Sequence, residues 1–189
     1  MSDDEVYQSV LSSLLKHRYR PSDSPPVDAA GVYALFLTDP TALPALTMPT
    51  SGVLYVGMAE LSLEVRNHFL HGDSGFSSPR RSLGALPRDE LQLVAIRRGT
   101  GPSPRNIAKF RFPDDGEQWF SAWMDRYLCY GLARVSSNVR ALERQLIGEL
   151  KPPLNLTHWQ NPQAAHLRSL RRACRDEARS SAPTLEGAV

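Results

Sequence analysis

The sequence predicts an α/β (α+β) fold: a small, mainly antiparallel sheet of about three strands flanked by helices, with helical additions at both ends. Two apolar runs carry the sheet, GVYALFL at 31–37 and GVLYVGMA at 52–59. Both are rich in β-branched, aromatic and aliphatic side chains and bounded by turn formers. Helical periodicity at 2–18, 117–128 and 138–150 carries the flanking layer. At 189 residues, with 41% apolar and 22% charged side chains, the chain has the make-up of an ordinary globular protein large enough to bury a core.

Each element has a local reason. In residues 2–18, Ser2 and Glu5 have capping-box spacing, and Val6, Val10, Leu11, Leu14 and Leu15 share a face. The prolines of PSDSPPVDAA then break the chain before the first long strand. The prolines at 40, 44 and 49 make 38–51 a connecting loop, longer than a tight hairpin needs. Residues 60–70 read as a helix with Leu61, Val65 and Phe69 four apart, closed by Gly72. A short helix at 80–86 stops before Pro87, and ELQLVAIRR at 90–98 reads as a third strand, with a shorter one within 107–112. In 117–128, Trp119, Phe120, Trp123, Met124 and Tyr127 form a stripe of core type. CYGLARVS reads as a further strand. The helix at 138–150 is expected to be capped by Asn138 and is stopped by Pro152 and Pro153. An arginine-rich helix at 162–179 and a disordered tail at 180–189 complete the chain.

The net charge of +2 is unevenly spread: residues 64–111 hold nine Lys/Arg against four Asp/Glu, and residues 151–189 six against three. Two basic blocks permit a polyanion-binding face and are equally compatible with a solvated surface. Cys129 and Cys174 are too few and too far apart for a metal knuckle or disulfide framework, so free thiols are expected. The start, Ser2-Asp3-Asp4-Glu5, is acidic where a signal peptide would be basic, and no apolar run reaches the length of a membrane span. A cytoplasmic protein with no membrane partner is the expectation.

Glu143 breaks the pattern of its helix. Val139, Leu142, Leu146, Ile147 and Leu150 span an apolar stripe about 140° wide, and Glu143 falls inside it. A carboxylate aimed at a core needs a partner, either an arginine or a bound cation. Tyr33 and Tyr55 each lie near a glycine in their strands, which would place two phenols on one sheet near approachable backbone. His68 falls beside Leu61 and Val65 on the apolar face of its helix, which suits either a core histidine or a catalytic one.

Gly31-Val32-Tyr33 followed by Tyr55-Val56-Gly57, with Arg66, Glu143 and the Pro152-Pro153-Leu154-Asn155 ending later in order, resembles the GIY-YIG nuclease superfamily. The resemblance covers 31–155. It leaves 1–30 as an N-terminal helix and Pro-rich linker, 156–179 as a basic C-terminal helix and 180–189 as a tail. It implies a metal-dependent endonuclease that hydrolyses phosphodiester bonds in nucleic acid, with DNA as the expected substrate. Glu143 would hold one divalent metal, Mg²⁺ (or Mn²⁺), and Asn155 would steady the site through hydrogen bonds. Tyr33, helped by Tyr55, would deprotonate or orient the attacking water, and some members use a histidine where His68 stands. Arg66 would clamp the scissile phosphate. It stands one residue further along than the family register, at which this chain has Val65. Arg80 and Arg81 are therefore the alternative, or else phosphate contacts outside the cleft together with Arg97 and Arg98. The rival reading is a catalytically silent nucleic-acid-binding module of the same fold. A protein-interaction domain with no nucleic-acid role is a third.

Overall fold

The computed structural model describes residues 2–66, 72–99 and 103–181. In chain order its elements are α1 (Asp3–Lys16), β1 (Arg18–Tyr19), β2 (Gly31–Leu37), β3 (Val53–Ala59), α2 (Ser78–Gly84), β4 (Ile96–Arg97), α3 (Pro104–Ala108), β5 (Phe110–Arg111), α4 (Asp114–Tyr127), β6 (Leu128–Arg134), α5 (Val139–Leu150) and α6 (Ala164–Ser180), with short 3₁₀ turns between some of them. They form two compact units, residues 1–71 with 121–164 and residues 72–120 with 165–189. The fold is mixed α/β, as expected. No helix among the described residues is long and apolar enough to cross a membrane.

The first unit is built on a four-stranded antiparallel sheet in the order β1-β6-β2-β3. All seven residues of β2 are buried, which is why its sequence is a continuous apolar run rather than an alternating one. Val32, Ala34 and Phe36 of β2 join Val53 and Val56 of β3 on one core. Tyr7, Val10 and Leu14 of α1 and Val139, Leu142, Leu146 and Ile147 of α5 complete that core. Complete burial of Leu14 and Leu146 contributes on the order of 2 kcal/mol each relative to exposure. The capping box at the start of α1 forms: Ser2 Oγ accepts from Glu5 N, and Ser2 N donates to the Glu5 carboxylate. The 38–51 loop is pinned by a two-way pair, Thr47 N to Gln163 Oε1 and Gln163 Nε2 to Thr47 O, each 2.9 Å.

The second unit packs Phe110 and Phe112 with Phe120, the ring pairs 5.8 and 6.1 Å apart in edge-on geometry. Leu83 and Leu93 are buried there too, with Leu167, Cys174 and Ala178 on the inner face of α6. At its centre Glu117 accepts four hydrogen bonds, from Ser74 N (2.9 Å), Ser74 Oγ (3.0 Å), Phe112 N (3.1 Å) and Arg80 Nη2 (2.7 Å). The Arg80 guanidinium also lies over the Phe120 ring, 4.8 Å from its centre.

Several expectations change. Residues 90–98 do not form a long strand. The turn hydrogen bonds Leu91 N to Pro87 O and Leu93 N to Arg88 O occupy the backbone, and Gln92 is left-handed (φ 52), so only Ile96–Arg97 is extended. Those two residues pair with Phe110–Arg111 in a separate two-stranded sheet. The main sheet gains Arg18–Tyr19 instead. The helix expected at 60–70 appears as a single 3₁₀ turn at Glu64–Arg66, with 60–63 not helical and Leu61 and Val65 exposed, while 67–70 lie outside the described residues. Trp119 is 56% exposed while Phe120, Trp123 and Met124 are buried, so the aromatic stripe of α4 is core without its first member. Asn138 is left-handed and makes no side-chain cap. Its carbonyl accepts the Leu142 N–H, so its backbone serves where its side chain was expected to.

Candidate active site

Sheet register decides where the signature residues meet. In β2, Tyr33 pairs with Gly57 of β3 on one side and Leu132 of β6 on the other, while Leu35 pairs with Tyr55 and Tyr130. Facing residues point to the same side of a sheet, so Tyr33, Tyr55 and Tyr130 share the face opposite to that of Val32, Ala34 and Phe36. The Tyr33 ring lies 6.0 Å from Tyr55 and 5.4 Å from Tyr130, centre to centre. Gly57 is what lets Tyr33 lie flat on the sheet, because a Cβ there would sit 2.5 Å from the Tyr33 Cζ and hydroxyl oxygen. Gly31 has an equally strict reason, since its Cβ would fall 2.2 Å from the Ala133 carbonyl oxygen on β6.

The two signature phenols are not equivalent. Tyr33 is 2% exposed, and its hydroxyl shares a hydrogen bond with that of Tyr55. Burial, above all, holds the Tyr33 pKa well above 10, and the neighbouring phenols add to it. Tyr55 is also raised, by burial and then by Glu143, but the hydrogen bond with Tyr33 and the charge of Arg66 pull it back.

Glu143 projects from α5, half-buried, within the helix face whose Val139, Leu142, Leu146 and Ile147 are buried. Burial raises its pKa, while the fields of His158, Arg144, Arg140 and Arg66 act in the opposite direction. The carboxylate thus stands partly desolvated among cations, and it reaches Tyr55 electrostatically. Arg140 is held by a two-point pair to Glu60, 2.7 and 2.9 Å. A cleft of about 520 Å³ runs beside the start of α5, with Glu60, Arg140 and Arg144 in its wall. Arg66 is exposed at the end of its 3₁₀ turn, and its charge acts on Tyr33, Tyr55 and Glu143 alike.

Asn155 secures the outer edge of β3. Its Oδ1 accepts from Val56 N and its Nδ2 donates to Val56 O, both at 2.8 Å, so the amide completes the sheet between Tyr55 and Gly57. Leu154 N to Leu54 O, 2.9 Å, extends the same pairing. The Asn155 carbonyl in turn accepts from Trp159 Nε1 (3.0 Å) and Asn161 Nδ2 (2.9 Å), which knots the 151–161 segment. Asn155→Ala orphans two buried backbone groups, at about 1–3 kcal/mol each. A lowered melting temperature, together with slower turnover in any assay that depends on Tyr55, is the expected outcome. An unchanged melting temperature would contradict this role.

Of the residues singled out in the sequence, Tyr33, Tyr55, Arg66, Glu143 and Asn155 thus come together in the first unit, and His68 lies outside the described residues. Arg80 and Arg81 are not surface cations. Arg80 is fully buried with its guanidinium committed to Glu117. Arg81 is 5% exposed, donates to the Ser74 and Gly75 carbonyls at 2.8 and 2.9 Å, and is pushed down to about 10 by burial and then by Arg171 and Arg98. Charge alone read them as phosphate contacts; burial assigns them to the second unit's frame. Arg98 stacks over Phe76 and bonds Asn106 Oδ1, while Arg97 is exposed. Residues the sequence did not single out also border the site: Tyr130, Arg140, Arg144 and His158. The last is set by a left-handed turn (φ 71) that has no local sequence signature.

The GIY-YIG catalytic domain family matches residues 31–177. The chain belongs to that family. Neither a curated protein nor a solved structure gives a significant match. GIY-YIG domains are generally endonucleases and typically use a divalent metal, so a nuclease-type function follows for this chain. Whether the residues suit such an ion is a question of donor chemistry. Among the described residues no group of three or more His, Cys, Asp or Glu could hold a metal. Mg²⁺ commonly keeps most of its waters and takes one or two carboxylates, and the partly desolvated Glu143 fits that demand.

Proposed function

We propose that the protein is a Mg²⁺- or Mn²⁺-dependent endonuclease that hydrolyses phosphodiester bonds in DNA. The observation that carries this reading is the convergence of two hydrogen-bonded phenols, a half-buried carboxylate and an exposed arginine whose charge acts on all three. Glu143 is the group that would hold the ion, which when bound would polarise the scissile phosphate and offset charge on the leaving oxygen.

The chain's own residues divide the remaining work. Tyr55 accepts the proton of the attacking water or fixes its lone pair in line with phosphorus. Tyr33, hydrogen-bonded to Tyr55, can donate to the Tyr55 anion and so favours that form. This reverses the order of the two phenols expected from the sequence. Arg66 offers a fixed, always-charged fork to the phosphate oxygens, and Arg140 and Arg144 add positive field at the adjoining cleft. Asn155 keeps β3, and with it Tyr55, in place.

Supercoiled plasmid incubated with Mg²⁺ or Mn²⁺ tests the reading. Nicking that EDTA abolishes supports it. Salt-sensitive DNA binding without any cleavage favours the silent binding module instead. Within an active enzyme, Tyr55→Phe is expected to slow single-turnover cleavage by about 10²–10³-fold, as for loss of a general base. Tyr33→Phe, which removes only support for Tyr55, should cost about 10-fold. Equal losses, or a larger loss in Tyr33→Phe, would overturn the division of roles.

A further inference from the structure

We infer that α6 is a phosphate-binding face that holds the nucleic-acid substrate by its backbone, an inference that rests on the nucleic-acid reading above. At 100° per residue, Arg168, Arg171, Arg172, Arg175 and Arg179 fall within an arc of roughly 100° on this helix. Like charges three and four residues apart destabilise a helix, and this stripe contains several such pairs, a repulsion that an anionic ligand would relieve. Arg171 and Arg175 are half-buried and Arg168, Arg172 and Arg179 exposed. Burial and then the charges of Arg175 and Arg168 lower the pKa of Arg171, which donates to Ser82 Oγ at 3.3 Å. The Arg175 Nε is buried with no hydrogen-bond partner among the described residues. Arg97 of β4 adds a further guanidinium at the far end, its Nη2 3.5 Å from the Arg179 carbonyl oxygen.

The carboxylates nearby offset only part of this charge. Asp176 faces Arg179 at 3.6 Å, and Glu177 is engaged with Arg88 and the Ala95 N–H. Five arginines and no lysine favour bidentate contact with phosphate oxygens. The occupant is a nucleic-acid backbone rather than a membrane surface. Leu167, Cys174 and Ala178 of α6 are already buried, leaving no apolar face of the kind an interfacial helix inserts among lipids. From Arg168 to Arg179 the helix rises about 16 Å, a length over which duplex DNA carries roughly nine phosphate charges, ample for five guanidiniums. Such contacts position the substrate without reading its sequence.

The test is the salt dependence of full-chain binding to a 30-base-pair duplex in EDTA, where cleavage is suppressed. A triple variant, Arg168→Gln with Arg172→Gln and Arg179→Gln, changes only exposed positions, and its melting curve checks folding. It is expected to bind at least about tenfold more weakly at 0.1 M salt, with the slope of log affinity against log salt reduced by about two to three. The corresponding lysine triple should keep most of that slope. Wild-type affinity and slope in the glutamine triple would overturn the inference. So would loss of binding to anionic phospholipid vesicles with duplex binding unchanged. A wild-type chain that binds through the stripe but cleaves nothing would remove the nuclease reading and leave the stripe standing. Cleavage by a glutamine triple of undiminished affinity would do the reverse.

Discussion

Glu117→Ala is expected to destabilise the protein by about 3–5 kcal/mol, the usual loss when one partner of a buried ion pair is removed. Arg80 would be left fully buried beside an apolar cavity, and Ser74 N, Ser74 Oγ and Phe112 N would lose their acceptor together. At this chain length each kcal/mol lowers the melting temperature by about 2–4 °C, so a fall of roughly 10 °C is expected. The double variant Arg80→Met with Glu117→Leu should recover part of the loss, because an apolar pair of similar volume removes the unpaired charge. Urea unfolding read by circular dichroism measures both. A fall below about 1 kcal/mol in Glu117→Ala would show that Glu117 is not the centre of the second unit.

Glu143→Gln is expected to reduce cleavage by at least about 10³-fold with the fold intact, since the amide keeps the shape of the side chain and loses the charge that holds a cation. Its effect on stability should be small or favourable, because burial already disfavours the ionised carboxylate. That combination of lost turnover and undiminished melting temperature distinguishes a functional carboxylate from a structural one. Glu117 is predicted to behave in the opposite way. Two glutamates, one on α4 and one on α5, are thus separated by the same pair of measurements.

What the sequence makes legible follows local chemistry. Continuous β-branched and aromatic runs announce β2 and β3, and the apolar stripe of α5 announces both the helix and the misfit of Glu143 within it. Asn155 is legible only through its motif, since its pairing with Val56 joins residues 99 apart in sequence. Arg80 and Arg81 are misleading for the same reason. An arginine pair reads as surface until Glu117, 37 residues beyond Arg80, is brought against it. The run at 90–98 has strand composition, yet Leu91 N and Leu93 N donate turn hydrogen bonds to the Pro87 and Arg88 carbonyls instead of to a neighbouring strand. The difference in burial between the two phenols is not encoded in a tripeptide either. The field of His158 acts on Glu143 from a left-handed turn in a segment held by Trp159 and Asn161, an arrangement with no periodicity to read.

The most direct measurement is the single-turnover cleavage rate of a labelled DNA duplex or plasmid by the wild-type chain and by Glu143→Gln, each with Mn²⁺ and with EDTA. Cleavage is expected from the wild type with metal alone, and none above background in the other three reactions. Cleavage that survives in EDTA, or in Glu143→Gln at the wild-type rate, would contradict that expectation.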